Sequence, residues 1–188
     1  MLATLQTFPA LPDTAALAQM SHVLVVLPAG EAIPDDCLER TLLLATLARR
    51  RLEPEELGDD PVAANSADGG LRVWLMLDAE KSTFENLTLL REGLVILLEE
   101  EPAAVDVLIC AKTGAADWMA EWVAYVGLAN GTPLPSRKQK DAPRALESLR
   151  LWGTATPPGQ ASSLAEGNQL ARTLTVLPPN TLTPAAYR

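Results

Sequence analysis

The chain has 188 residues, of which 48% are hydrophobic and 21% charged, a balance that supports one well-buried domain plus a tail and excludes a disordered chain. Fifteen Lys and Arg against 24 Asp and Glu give a formal charge of -9, so the long-range field repels nucleic acid and anionic lipid. No apolar run approaches the roughly 18–20 residues of a membrane span, and the N-terminus lacks a basic, then apolar, leader pattern, so the expected location is the cytoplasm.

Residues 1–8 alternate loosely and are expected to form a first strand, which Pro9 and Pro12 close. The run Val23-Leu24-Val25-Val26-Leu27, closed by Pro28, has the continuous apolar character of a central strand buried on both faces. Asp35 and Asp36 offer a cap for a helix of about four turns, with Leu38, Leu42, Ala45 and Ala48 at helical spacing. That helix ends in Arg49-Arg50-Arg51, three cations that oppose the dipole favourably and are expected to be solvated.

A short strand is expected near Val62. The turn Asp68-Gly69-Gly70 leads into residues 71–77, either a hairpin partner or a core strand. Ser82 and Glu85 stand at capping-box spacing, which predicts a helix carrying Leu87, Leu90, Leu94, Leu97 and Leu98 on one stripe and ending at Glu99-Glu100-Glu101-Pro102. Residues 105–111 form the next buried strand and residues 115–128 the next helix, with Trp118, Trp122 and Tyr125 on one face as core or subunit contact. A proline-bearing loop with Arg137, Lys138, Lys140 and Arg144 is the most open candidate for a basic patch, and residues 146–152 read as a last strand.

Strands thus alternate with helices, which predicts an α/β fold: three layers, a mixed but mostly parallel sheet, helices on both faces. The expected division is an α/β domain over residues 1–152, a Pro/Gly/Thr linker over 153–160, and a further segment over 161–188.

Chemistry is sparse. The only histidine, His22, precedes a buried strand, and there is no nucleophile elbow, phosphate loop or dinucleotide fingerprint. Cys37 and Cys110 are far apart, outside any metal or redox spacing, and read as small buried hydrophobes. Lys112-Thr113-Gly114 is a strand-to-helix turn at the carboxyl end of a core strand, where open α/β sheets tend to bind ligands. No catalytic, cofactor-binding or metal-ligating residue is assigned.

The last segment carries a pattern of its own. A helix with Ala165, Gly167, Leu170, Arg172 and Leu174 is followed by Pro178-Pro179-Asn180 and Thr183-Pro184. This resembles the entry into the catalytic domain of leucyl (cytosol) aminopeptidases. Lys138 followed by the strand at Leu149 and Leu151 is similar to the end of that family's N-terminal, macro-domain-like half. Departures stand at Thr173, Val176 and Leu177, where the family usually has aspartate, asparagine and threonine, and at Thr132-Pro133-Leu134 in place of aromatic residues.

The resemblance implies a parent enzyme that releases N-terminal amino acids by two-metal hydrolysis, with two divalent zinc, manganese or magnesium ions. Their ligands would lie downstream of the entry pattern, so this stretch would be a non-catalytic N-terminal domain. Its implied partners are its own C-terminal catalytic domain and further copies in a hexamer, with a role in assembly and active-site access. The alternative expectation is a stand-alone macro-type domain binding a nucleotide or ADP-ribose.

Overall fold

The computed structural model describes residues 2–30, 32–35, 37–111, 113–134 and 143–176. Six strands form one sheet: β1 (Thr4–Phe8), β2 (His22–Pro28), β3 (Val62–Asn65), β4 (Leu71–Leu77), β5 (Ala104–Ile109) and β6 (Ser148–Trp152). They lie in the order β1-β6-β5-β2-β4-β3, all neighbours parallel except the antiparallel pair β3 and β4. The expected mixed, mostly parallel sheet is present. Residues 71–77 fulfil both roles offered by the sequence, as hairpin partner of β3 and as core strand beside β2.

Helices cover both faces. On one side lie α1 (Thr14–Leu17), α2 (Arg40–Arg50) and a 3-10 turn (Pro54–Gly58); on the other lie α3 (Thr83–Leu98), α4 (Thr113–Asn130) and α5 (Ala161–Val176). Because successive strand residues point to opposite faces, β2 sends Leu24 and Val26 to the α3 and α4 layer and Val23, Val25 and Leu27 to the α2 layer. Burial on both sides is why these strands read as continuous apolar runs.

The capping box forms as its spacing predicts, with the Ser82 hydroxyl accepting from Glu85 N and the Glu85 carboxylate accepting from Ser82 N at 2.9 Å. Leu90, Leu94 and Leu97 of α3 are fully buried. In α4, Gly127 lies against β6: a Cβ there would come within 2.6 Å of Leu149 Cδ2, so the glycine sets how closely helix and strand approach.

The start of α2 differs from expectation. Asp35 does not cap it; its carboxylate is fully exposed and pairs with Arg40 at 3.4 Å, while Asp36 lies outside the described residues. The cap position is Glu39, in the left-handed region at φ 59°, with no side-chain capping bond. The reason is tertiary: the Glu39 carboxylate is drawn inward to the buried Arg72 guanidinium, at 3.1 Å. Arg50 departs from a purely solvated role, since its guanidinium donates to the Ala63 carbonyl at 2.8 Å and so ties α2 to the edge strand β3.

Candidate functional site

In an open parallel sheet, a crevice opens at the carboxyl ends where neighbouring strands send their connections in opposite directions. Here those strands are β2, which leads to α2 on one face, and β5, which leads to α4 on the other. A cleft of about 510 Å³ lies at this switch point, within the range of small-molecule sites.

Each wall follows from local sequence. Pro34 and Cys37 come from the connection between β2 and α2, and Ile109, Cys110 and Ala111 from the end of β5. Ala116 and Asp117 stand in the first turns of α4. Residues 153–156, just after β6, close the remaining side against Pro9 and Leu11.

That last wall is held by the backbone. Gly153 N and Thr154 N both donate to Phe8 O, at 2.9 and 3.2 Å, and the buried Thr154 hydroxyl donates to Thr156 O at 3.1 Å. Gly153 adopts φ +85°, and a Cβ there would meet Ile109 O at 2.4 Å. Only glycine lets the chain leave β6 in the left-handed region so close to the end of β5.

Thr113 and Gly114 begin α4, just ahead of the lining residues Ala116 and Asp117, and Lys112 lies outside the described residues. Cys37 is buried and Cys110 half-buried; sequence spacing could not show that the fold brings both to one cleft. Among the described lining residues there is no Lys, Arg or His, and the one charged group is Asp117.

His22 lies at the amino end of β2, away from the cleft, with Nε2 2.9 Å from the Glu100 carboxylate and Nδ1 2.9 Å from the Ser21 hydroxyl. These two contacts hold the imidazole at the amino ends of the strands. A second cavity of about 650 Å³ beside Arg40, Asp59, Asp78 and Lys81 has its cations committed: Lys81 Nζ donates to Gly58 O and Asp59 Oδ1, both at 2.7 Å. The Asp59 hydrogen bond is the main cause of the raised Lys81 pKa.

One polar cluster escaped the sequence reading. Asp106, 1% exposed on β5, accepts from Arg150 Nη2 at 2.5 Å and from Trp152 Nε1 at 2.9 Å, both on the adjacent β6. Burial pushes its carboxyl above the ordinary value of 3.8, against the lowering effect of Trp152 and Arg150. Trp152 in turn stacks on Phe8 at 4.0 Å between ring centroids. An aspartate inside a run of valines was the available signal.

No group of three or more His, Cys, Asp or Glu among the described residues could hold a metal ion, and no helix among them is long and apolar enough to cross a membrane.

The outward side of α5 is partly apolar. The helix packs on α4 through the buried Ala161 and Ala165, with Asn168 Nδ2 donating to Tyr125 Oη at 3.0 Å and Arg172 Nη1 to Ala129 O at 2.6 Å. Leu164 and Leu170 remain 53% and 62% exposed. The aromatic face of α4 lies partly beneath it, with Trp118 and Trp122 edge to face at 4.6 Å. Arg137, Lys138, Lys140 and the Pro178-Pro179-Asn180 and Thr183-Pro184 patterns lie outside the described residues.

Solved structures place this architecture among leucine aminopeptidases as a fold. A tomato leucine aminopeptidase mutant superposes with a TM-score of 0.65 at 18% identity, covering 98% of this chain and 40% of that one. A leucyl aminopeptidase from Trypanosoma brucei gives 0.57 at 18%, covering 100% and 40%, and the bottromycin maturation enzyme BotP gives 0.60 at 22%, covering 89% and 35%. The chain therefore has an α/β fold found in these enzymes and spans about two fifths of their length. No protein-family model and no curated protein sequence matches it.

Proposed function

We propose that this chain is the non-catalytic N-terminal domain of a leucyl-aminopeptidase-type metallopeptidase, whose catalytic residues lie outside these 188 residues. The observation that carries the reading is asymmetric coverage: nearly all of this chain superposes on about two fifths of aminopeptidase chains. The parent enzyme would release N-terminal amino acids by two-metal hydrolysis; BotP was solved in complex with Mn, which fits that chemistry. The domain would span residues 1–152, the linker 153–160, and residues 161–188 would begin the catalytic half.

In this reading the role of the domain is assembly and control of access to the active site. Its partners are its own catalytic domain, which would cover Leu164 and Leu170, and further copies in a cytoplasmic homo-oligomer, expected to be a hexamer. Purified residues 1–188 should not hydrolyse leucine p-nitroanilide with or without added Mn²⁺ or Zn²⁺. Metal-dependent turnover by that chain would overturn the proposal.

A further inference from the structure

Helix α3 buries its leucines against the sheet, yet its outer surface is not uniformly polar. Phe84, Thr88, Arg91 and Val95 recur at steps of four, three and four residues, so they share one stripe along the helix. Phe84 is 79% exposed, more than any other large apolar side chain among the described residues, and Val95 is 37% exposed.

That stripe divides two grooves of opposite charge. Phe84 and Thr88 line both, which makes them the ridge between. On the side of α4 and α5, a cavity of about 340 Å³ carries Arg91 and Arg172 beside Leu87 and Tyr125, with no acidic side chain in its described lining. On the other side, a second cavity of about 340 Å³ carries Asp59, Asp60, Glu85 and Glu92. Its one cation, Lys81, is already held by Asp59 at 2.7 Å.

We propose that this ridge is a self-association surface, on which a second copy of the chain docks about a two-fold axis lying in the interface parallel to α3. Such an axis turns the basic groove of each copy onto the acidic groove of the other and brings the two Phe84 rings together on the ridge. An axis across α3 would lay basic on basic and acidic on acidic, so charge selects the arrangement with the two α3 helices parallel. A partner of one sign of charge suits one groove and opposes the other, whereas a second copy satisfies both at once. The contact stands whether or not the chain belongs to a peptidase.

The test is sedimentation equilibrium of the 188-residue chain. At about 0.15 M salt the overall charge is screened beyond roughly 8 Å while contacts between the grooves are not, and a monomer–dimer equilibrium is expected. Phe84→Ser should raise the dimer Kd about tenfold or more. Arg91→Glu and Glu92→Arg should each weaken the dimer about tenfold, because each sets like charges against one another on both sides of the axis. Mixing those two variants should restore a dimer containing one of each, since the two reversed charges then meet and so do the two native ones. All three substitutions fall on exposed side chains, so a loss of association is not a loss of fold. A chain that stays monomeric up to about 1 mM, an association untouched by Phe84→Ser, or a mixture no tighter than either variant alone would each overturn the proposal.

Discussion

Arg72 and Glu39 stand 33 residues apart in sequence and 3.1 Å apart in the fold, with the arginine side chain 1% exposed. Arg72 also donates to Met20 O at 2.8 Å and Leu17 O at 3.2 Å, so one guanidinium joins β4, the end of α1 and the start of α2. Removing it takes the guanidinium donor from Met20 O and from the half-buried Glu39 carboxylate, and leaves Leu17 O with Met20 N alone. Arg72→Ala should cost about 3–5 kcal/mol, whereas Glu39→Gln, which keeps an acceptor, should cost about 1 kcal/mol. Urea unfolding midpoints measure both; equal effects would show that the guanidinium does not act as the hub.

Two glycines should respond in opposite directions to alanine. Gly153→Ala forces a side chain into the left-handed region and against Ile109 O, and should lower stability by more than about 1 kcal/mol. Gly167, within α5, has nothing within 4 Å of a built Cβ, so Gly167→Ala should raise stability by about 0.5–1 kcal/mol. Thermal melts of the two variants beside the parent chain decide the matter.

The Glu85 carboxyl is held below its ordinary 4.5 chiefly by the Ser82 hydroxyl, then by Ser82 N. A lowered folded-state value means the stabilisation is present above the unfolded pKa and is lost as pH falls through the folded one. In Ser82→Ala the Glu85 titration followed by NMR should move back toward 4.5, and the melting temperature at neutral pH should drop by roughly 2–4 °C. An unchanged Glu85 midpoint would mean the hydroxyl bond is not populated.

Asp106 carries the opposite sign. Burial raises its carboxyl above 3.8, so its contribution to stability is greatest below the unfolded pKa and is lost as pH rises through the folded value. The stability of the parent chain relative to Asp106→Asn should therefore fall between pH 3.5 and neutrality. Urea midpoints of the two proteins across that range would show it, and a difference independent of pH would contradict the assignment.

The exposed leucines of α5 separate local from partner-dependent stability. Leu170→Ser should change the stability of the 188-residue chain by less than about 0.5 kcal/mol, because the side chain is 62% exposed. Within a longer aminopeptidase chain the same change should lower the melting temperature measurably, since there a catalytic domain would cover it.

Much of the architecture was written in local pattern. The apolar runs at Val23–Leu27 and Val105–Ile109 announced buried parallel strands because both faces of such strands meet helices, and Ser82 with Glu85 announced α3 because a capping box is satisfied within four residues. The proline and glycine punctuation likewise placed the elements in order. The sheet order β1-β6-β5-β2-β4-β3 was not in any such window, and neither were the contacts that depend on it. Glu39 leaves the usual capping conformation for an arginine on β4, and Asp106 is reached by Arg150 and Trp152 only because β6 lies beside β5. Cys37, Asp117 and Gly153 share one cleft for the same reason. Periodicity and caps report interactions between neighbours in sequence, so the chain alone determined which segments are strands and helices; how those segments pack, and therefore where a ligand can sit, was decided by long-range burial that no short stretch of sequence encodes.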